Sequence, residues 1–162
     1  MQIGLIADTH NDRRQIERAL ARLRLENVTT ILHAGDVTSS RMLRLFKGFD
    51  VWVSRGNMDR DPGLLHVAHE LFGPDRYRNT LSISLNGAAL ALVHDGRSDT
   101  ATELIASGDY GYVVHGHSHR PRDEVVGSTR VINPGALGNS RWHTPTFAIL
   151  NLATGDLSWI KL

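Results

Sequence analysis

The sequence has 162 residues, a formal net charge of +1 and no cysteine. A chain of this length suits one domain, which we expect to span residues 1–162. Without cysteine the chain can form neither a disulfide bond nor a zinc–thiolate site, so His, Asp, Glu and Asn remain as strong metal ligands. The small net charge gives no support for a nucleic-acid-binding surface.

Two features bear on where the protein works. Residues 1–7 run directly into Asp8, which leaves no space for the basic and apolar regions of a signal peptide, so we expect a cytoplasmic protein. No apolar stretch approaches the ~20 residues that are needed to span a bilayer, so we expect no membrane partner.

The first half of the chain alternates strands and helices. Apolar and β-branched runs predict three strands, at 3–7, 29–32 and 51–53. Helical spacing predicts three helices, at 12–27, 39–47 and 63–72. This alternation is typical of a parallel sheet, in which ligands bind beyond the carboxyl ends of the strands. The segments that follow these three strands contain Asp8, Asp36 and Asn57.

The second half contains hairpins. Residues 81–85 alternate in polarity, Asn86-Gly87 is a strong hairpin turn, and residues 88–93 return as a buried strand that ends at His94. A helix is predicted at 100–107 and a strand at 112–114. Two further hairpins are expected to turn at 127–128 and 154–155.

The strand at 112–114 leads into histidines at three alternate positions, 115, 117 and 119. Alternate side chains of an extended segment project the same way, so His117 and His119 can serve one cluster. Neutral imidazole binds borderline divalent cations well. Gly116 permits the chain to bend between them.

Groups of metal-ligating type therefore follow five predicted strands: Asp8, His10, Asp36, Asn57, His94, His117 and His119. Seven donors exceed what one tetrahedral ion can use, but they suit two octahedral-leaning ions that share a carboxylate. Two divalent ions would leave this site net positive, because only two of its side chains are carboxylates. Such a site attracts an anionic ester, for which phosphate is the natural candidate.

The order of these motifs is Asp8-Thr9-His10, Gly35-Asp36, Gly56-Asn57, a lone His94, and Gly116-His117-Ser118-His119. In this order and spacing the whole chain resembles the calcineurin-like metallophosphoesterases, and among them the small YfcE-type phosphodiesterases. The resemblance implies an α/β fold, a four-layer α/β/β/α sandwich in which two packed mixed β-sheets are flanked by helices. It also implies a metal-dependent phosphodiesterase that hydrolyses a small phosphate ester by in-line attack of a metal-bridging hydroxide.

The resemblance further implies which residues hold the metals. The first ion would be held by Asp8, His10, Asp36 and His119. The second would be held by Asp36, Asn57, His94 and His117. Asp36 would bridge the two ions, and Asp36, Asn57 and His94 would be the catalytic residues. We expect two divalent ions, with manganese as the first choice and zinc, nickel, iron or magnesium as alternatives.

One motif position departs from the family pattern. Met58 follows Asn57 where the wider family often has a histidine that is thought to protonate the leaving group. Methionine cannot donate a proton, so the proton source stays open, as does the role of Asp59.

The remaining histidines receive separate expectations. We expect His33 to pack in the interior, and His66 and His69 to be ordinary surface or packing residues. His115 could orient substrate or form a hydrogen bond behind the ligands. Arg141 and His143 could reach the substrate, and the sequence does not place them.

Two alternatives to a phosphodiesterase remain. One is a non-catalytic protein-interaction scaffold, as in a eukaryotic retromer subunit of this fold, and the other is a phosphomonoesterase or protein phosphatase. A scaffold tolerates loss of ligands, whereas all seven positions here hold ligating residue types. A protein phosphatase needs extra surface, and the chain has no cap insert. The sequence leaves open whether the protein is a homo-oligomer.

Overall fold

The structure is a computed structural model that describes residues 1–139 and 143–162. Its helices are α1 (Arg13–Leu25), α2 (Ser40–Leu43), α3 (Gly63–Phe72) and α4 (Asp99–Ser107), and a 3₁₀ turn (Arg44–Phe46) follows α2. Its strands are β1 (Gln2–Ile6), β2 (Thr30–His33), β3 (Asp50–Ser54), β4 (Tyr77–Arg78), β5 (Thr80–Leu85), β6 (Ala88–Asp95), β7 (Tyr112–Gly116), β8 (Arg122–Val126), β9 (Thr129–Asn133), β10 (Thr146–Asn151) and β11 (Leu157–Lys161). No helix in this described part of the chain is both long and apolar enough to cross a membrane.

The strands form two mixed sheets. The first has the order β11-β10-β1-β2-β3-β4, and the second has the order β5-β6-β7-β9-β8. Strands β1, β2 and β3 are parallel, which confirms the expectation from the alternating first half. The three predicted hairpins are also confirmed, because β5–β6, β8–β9 and β10–β11 are antiparallel pairs.

Successive residues of β1 face opposite layers. Leu5 packs in the apolar cluster between the two sheets, which also contains Leu92 of β6. Ile6 packs instead in the cluster that α1 and α3 form over the first sheet. Helix α4 covers the second sheet through Ala101. The layers therefore run helix, sheet, sheet, helix, which confirms the four-layer sandwich, and burial on both faces explains why the central strands are almost entirely apolar.

The elements differ from the predicted ones mainly at their ends. The helix predicted at 39–47 is divided, because α2 ends at Leu43 and a 3₁₀ turn continues to Phe46. The hydroxyl of Ser39 does not cap α2 and instead donates to Oδ1 of Asn11 at 2.7 Å. The sequence missed β4, whose two residues are too few to show a period.

Candidate metal centre

The seven predicted ligands lie together where five strands end. Asp8 follows β1, Asp36 follows β2 and Asn57 follows β3, all from the first sheet. His94 is the penultimate residue of β6, and the histidines at 117 and 119 follow β7, both from the second sheet. The centre thus lies where the carboxyl ends of the two packed sheets meet.

The first ligand group consists of Asp8, His10, Asp36 and His119. Nε2 of His10 lies 3.1 Å from Nε2 of His119 and 3.7 Å from Oδ2 of Asp36. Oδ1 of Asp8 lies 3.6 Å from Nε2 of His119 and 3.9 Å from Nε2 of His10. These donor atoms are close enough to share one cation.

The second group consists of Asp36, Asn57, His94 and His117. Oδ1 of Asn57 lies 3.0 Å from Nε2 of His94 and 3.1 Å from Nδ1 of His117. The two imidazole nitrogens are 3.2 Å apart, and Nε2 of His94 lies 3.5 Å from Oδ2 of Asp36. Oδ2 of Asp36 is therefore next to both groups. Asp8 also lies within 4.8 Å of Asp36 and His94 through their donor atoms, so the groups adjoin at two carboxylates.

The facing side-chain atoms of the two groups are acceptors when the histidine rings are neutral. Nδ1 of His94 donates to the carbonyl oxygen of Ala34 at 2.7 Å, which leaves a lone pair on Nε2 in the neutral ring. That lone pair faces the amide oxygen of Asn57 and the carboxylate of Asp36. Acceptors in such contact repel one another unless a proton or a cation lies among them. The donor set of imidazole, carboxylate and carboxamide groups therefore fits divalent cations.

The pKa values of these groups reflect the same crowding. Burial raises the pKa of Asp8 to about 7, although nearby His94 lowers it. Burial disfavours the charged form of His94, but hydrogen bonds to Asp36 and to the Ala34 carbonyl oxygen raise its pKa to about 8. Burial, aided by the neighbouring His10, lowers the pKa of His119 to about 4. The raised pKa values mean that Asp8 and His94 bind protons at a pH near neutral, and a cation would compete with those protons for the same lone pairs.

The backbone at the centre is strained. The ligand candidates with a positive φ, between 41° and 67°, are Asp8, His10, Asp36, His117 and His119. Residues with a Cβ rarely adopt this conformation, which costs about 1–3 kcal/mol each. Such strain persists where the surrounding structure enforces it, and it is concentrated at functional sites.

Asp59 joins the two loops that carry Asp36 and Asn57. Its Oδ2 accepts hydrogen bonds from the amides of Gly56 at 2.8 Å and Asp36 at 3.2 Å. Its Oδ1 accepts from the amide of Thr38 at 2.7 Å. The carboxylate therefore acts as a buried acceptor that positions both loops, which answers the question that the sequence left open about this residue.

Asn133 plays the same part beneath the loop of His117 and His119, and the sequence did not identify it. Its Nδ2 donates to the carbonyl oxygen of Gly116 at 2.9 Å and to the hydroxyl of Ser118 at 3.0 Å. Its Oδ1 accepts from the amide of Gly135 at 2.9 Å. The available signal is the sequence Asn133-Pro134-Gly135, whose composition is typical of a turn.

Three further histidines flank the centre. His33 is buried and packs edge-on against Phe46, as expected for an interior residue. His115 is buried next to the ligand loop, where its Nδ1 lies 3.1 Å from the carbonyl oxygen of Gly116. The ring of His143 packs edge-on against that of His119, with centroids 5.4 Å apart.

Other residues singled out in the sequence lie elsewhere. His66 and His69 are on α3, outside both ligand groups. Arg141 lies outside the described residues.

The chain is similar to known proteins over almost its whole length. The family model for the calcineurin-like phosphoesterase superfamily domain matches residues 1–155. Phosphodiesterase MJ0936 of Methanocaldococcus jannaschii is 27% identical over 154 residues, which cover 93% of each chain.

Solved structures agree with this family. A structure described as a novel archaeal phosphodiesterase superposes with a TM-score of 0.92 at 27% identity and covers 100% of both chains. YfcE, a phosphoesterase from E. coli, shares the fold with a TM-score of 0.67 at 17% identity, over 99% of this chain and 98% of its own. The chain therefore belongs to the calcineurin-like phosphoesterase superfamily.

Proposed function

We propose that this protein is a phosphodiesterase whose hydrolytic centre holds two divalent metal ions, bridged by Asp36. The observation that carries the proposal is the position of Asp36 Oδ2, which lies 3.7 Å from Nε2 of His10 and 3.5 Å from Nε2 of His94. One carboxylate oxygen is thus shared between two clusters of donor atoms.

The residues of the two groups would hold one ion each. Asp8, His10, Asp36 and His119 hold the first, and Asp36, Asn57, His94 and His117 hold the second. Manganese is our first choice, because sites of oxygen and imidazole ligands accept it. When bound, such ions lower the pKa of water from 15.7 toward ~7, which supplies a nucleophile at neutral pH.

The chain positions the ligands of this centre through hydrogen bonds behind them. The Ala34 carbonyl oxygen fixes the ring of His94 so that Nε2 faces the centre. The amide of His117 donates to Oδ2 of Asp8 at 3.0 Å, which links the β1 and β7 loops across the two sheets. Such links keep the donor atoms in place before substrate binds, and preorganisation of this kind is a major source of catalysis.

A diester is the substrate class that the relatives support. MJ0936 and the archaeal structural match are both described as phosphodiesterases. A scaffold role is the weaker hypothesis, because each of the seven ligand positions retains a donor atom that lies against another one.

Chelation and metal replacement test the proposal. We expect EDTA to abolish hydrolysis of bis(p-nitrophenyl) phosphate and added Mn²⁺ to restore it, with lower activity on the monoester p-nitrophenyl phosphate. His66→Ala, an exposed change on α3, serves as the control and should retain activity. Turnover that survives chelation would contradict the proposal, and a metal-loaded protein without turnover would favour the scaffold.

A further inference from the structure

A groove opens beside the candidate metal centre and is not used by the function proposed above. We call it the α4 groove, and its walls include Asp95, Arg97, Ile105, His117, Arg120 and Val126. We propose that the α4 groove binds one arm of the phosphodiester substrate, and that this arm carries both a further anionic group and a flat apolar ring, as a nucleotide does. The inference rests on the proposed hydrolytic function.

The groove is continuous with the centre and large enough for such an arm. His117, whose Nδ1 lies 3.1 Å from Oδ1 of Asn57 within the second ligand group, is also part of the groove wall. The groove has a volume of about 1040 Å³. This is slightly above the range of ~300–1,000 Å³ that is usual for small-molecule sites. A phosphate at the centre could therefore extend a substituent directly into the groove.

One part of the wall is cationic. Arg97 and Arg120 are both exposed, and neither guanidinium forms an ion pair with any residue that the structure describes. Glu124 pairs with Arg122, whereas Asp95 keeps its negative charge while its Oδ1 accepts the main-chain amide of Arg97. The wall therefore carries three arginines and two carboxylates, which leaves it net positive. Two guanidinium groups thus remain for an anion, and their planar donors match phosphate oxygens.

Another part of the wall is apolar. Ile105, Ala106 and Val126 line it, together with the methyl-bearing side chain of Thr102. Val126 is 40% exposed at the end of β8, so apolar surface faces the groove or solvent rather than the core. A flat ring would cover such a wall, whereas a simple polyphosphate would leave it in water. The combination of two guanidinium groups and an apolar wall favours a nucleotide over either a plain anion or a plain nucleoside.

A second groove fits the arm less well. It is smaller, about 490 Å³, and it lies between β3 and α3, with Arg55, Arg60 and Leu65 among its walls. No ligand candidate of the centre lines it, and its third arginine, Arg78, is paired with Asp75. Its two exposed arginines, Arg55 and Arg60, nevertheless offer a matched control. Replacing both with alanine changes the net charge of the protein by the same amount as replacing Arg97 and Arg120.

Calorimetric binding to the full-length, Mn²⁺-loaded protein tests the inference without turnover. The probes are adenosine 5′-(α,β-methylene)diphosphate, which has both features, adenosine, which has the ring, and methylenediphosphonate, which has the charge. The proteins are the wild type, the double variant Arg97→Ala/Arg120→Ala and the control double variant Arg55→Ala/Arg60→Ala, all with their metal content measured and matched.

We expect the groove double variant to raise the Kd of the methylene nucleotide by about tenfold or more, since two charge-assisted hydrogen bonds are lost. The control variant should change that Kd by less than about twofold. The wild type should bind the nucleotide at least about tenfold more tightly than either partial probe. Three results would each overturn the inference. The Kd of the methylene nucleotide could rise equally in both double variants, or it could stay unchanged in the groove double variant. The third is that the wild type binds methylenediphosphonate as tightly as the methylene nucleotide.

Hydrolysis of bis(p-nitrophenyl) phosphate by the wild type separates this inference from the function on which it rests. Turnover without selective nucleotide binding contradicts only the groove. Selective binding without turnover contradicts only the hydrolytic function.

Discussion

The main-chain amide of Met58 donates a 2.8 Å hydrogen bond to Oδ1 of Asp36. Position 58 therefore helps to hold the carboxylate shared by the two ligand groups, and it does so through a backbone group that every residue except proline provides. The Met58 side chain is 43% exposed, so it is not needed to fill the core. A substitution here can change the side-chain chemistry while it keeps the contact to Asp36.

Met58→His should change which esters are cleaved. The carboxylate of the neighbouring Asp59 accepts hydrogen bonds from three main-chain amides. Because these contacts require Asp59 to act as an acceptor, it is poorly suited to donate a proton to the leaving group. A positioned general acid typically raises a rate by ~10²–10⁴-fold. We expect kcat/KM of Met58→His for an alkyl diester to rise by about tenfold or more, which is only part of that factor. Hydrolysis of a nitrophenyl diester should change little, because nitrophenolate leaves without a proton.

Met58→Leu is the control for this prediction, since it preserves bulk and offers no proton. The ratio of alkyl to aryl kcat/KM should stay at the wild-type value in Met58→Leu. An unchanged ratio in Met58→His at full metal occupancy would mean that another group already protonates the leaving group.

Asp59→Ala should destabilise the protein before any metal is bound. The change leaves the amides of Gly56, Asp36 and Thr38 without their acceptor, at about 1–3 kcal/mol for an unsatisfied buried group. Allowing for relaxation, we expect the free energy of unfolding in urea to fall by about 3 kcal/mol. Asp75→Ala, which removes only a surface pair with Arg78, should be nearly neutral. A similar small loss in both variants would disprove the positioning role of Asp59.

Gly56→Ala should reduce metal binding. A Cβ at this position would overlap Oδ1 and the main-chain nitrogen of Asp36, neither of which can move without disturbing the ligand groups. At Gly111 the nearest atom to such a Cβ is the Ala89 carbonyl oxygen at 3.7 Å, so Gly111→Ala is the tolerated counterpart. Metal content measured after dialysis against Mn²⁺ should fall only in Gly56→Ala, and full occupancy there would show that the loop adapts.

Much of the centre could be predicted because strand ends are visible in the sequence. Asp8, Asp36 and Asn57 each follow an apolar run by no more than a few residues, and a parallel sheet brings the ends of such runs to one edge. The histidine loop after β7 could be placed in the same way, since its residue types and spacing are those of a metal site. The fold class followed from the alternation of elements and from the resemblance that the motifs carried.

The rest depends on contacts that leave no local pattern. Nothing in the sequence around His10 or His119 indicates a positive φ, because tertiary structure imposes that strain. The bond from Asn133 to Gly116 spans 17 residues, and the contacts of Asp59 with Thr38 and Asp36 span more than 20. The exposed arginines of the α4 groove were likewise not identified, because single charged residues on loops carry no signal of what they line.

Metal affinity should rise with pH near neutrality. In the metal-free protein burial raises the pKa of Asp8 from 3.8 to about 7, and the hydrogen bonds of His94, acting against its burial, raise its pKa from 6.5 to about 8. Below its pKa each group holds a proton that a metal ion must displace. This competition between proton and metal ion disappears as the pH rises above the two pKa values. We therefore expect Mn²⁺ affinity to increase between about pH 6 and pH 8, by up to tenfold per unit for each proton released, and then to level off.

Calorimetry in two buffers of different ionisation enthalpy would count the released protons. Close to two protons per chain, one from Asp8 and one from His94, should be released near pH 6, and fewer than one above about pH 8. Equal affinity at both pH values would show that Asp8 and His94 are already deprotonated in the metal-free protein.

The shared position of Asp36 is the central claim, and metal stoichiometry tests it most directly. Elemental analysis of metal per chain should be made on the wild type, His119→Ala, His117→Ala and Asp36→Ala, each purified without chelator and equilibrated with Mn²⁺. We predict two ions per chain in the wild type, about one in each histidine variant, because each removes a ligand from one group only, and close to none in Asp36→Ala. A wild-type protein with one ion, or an Asp36→Ala protein that retains two, would contradict the account.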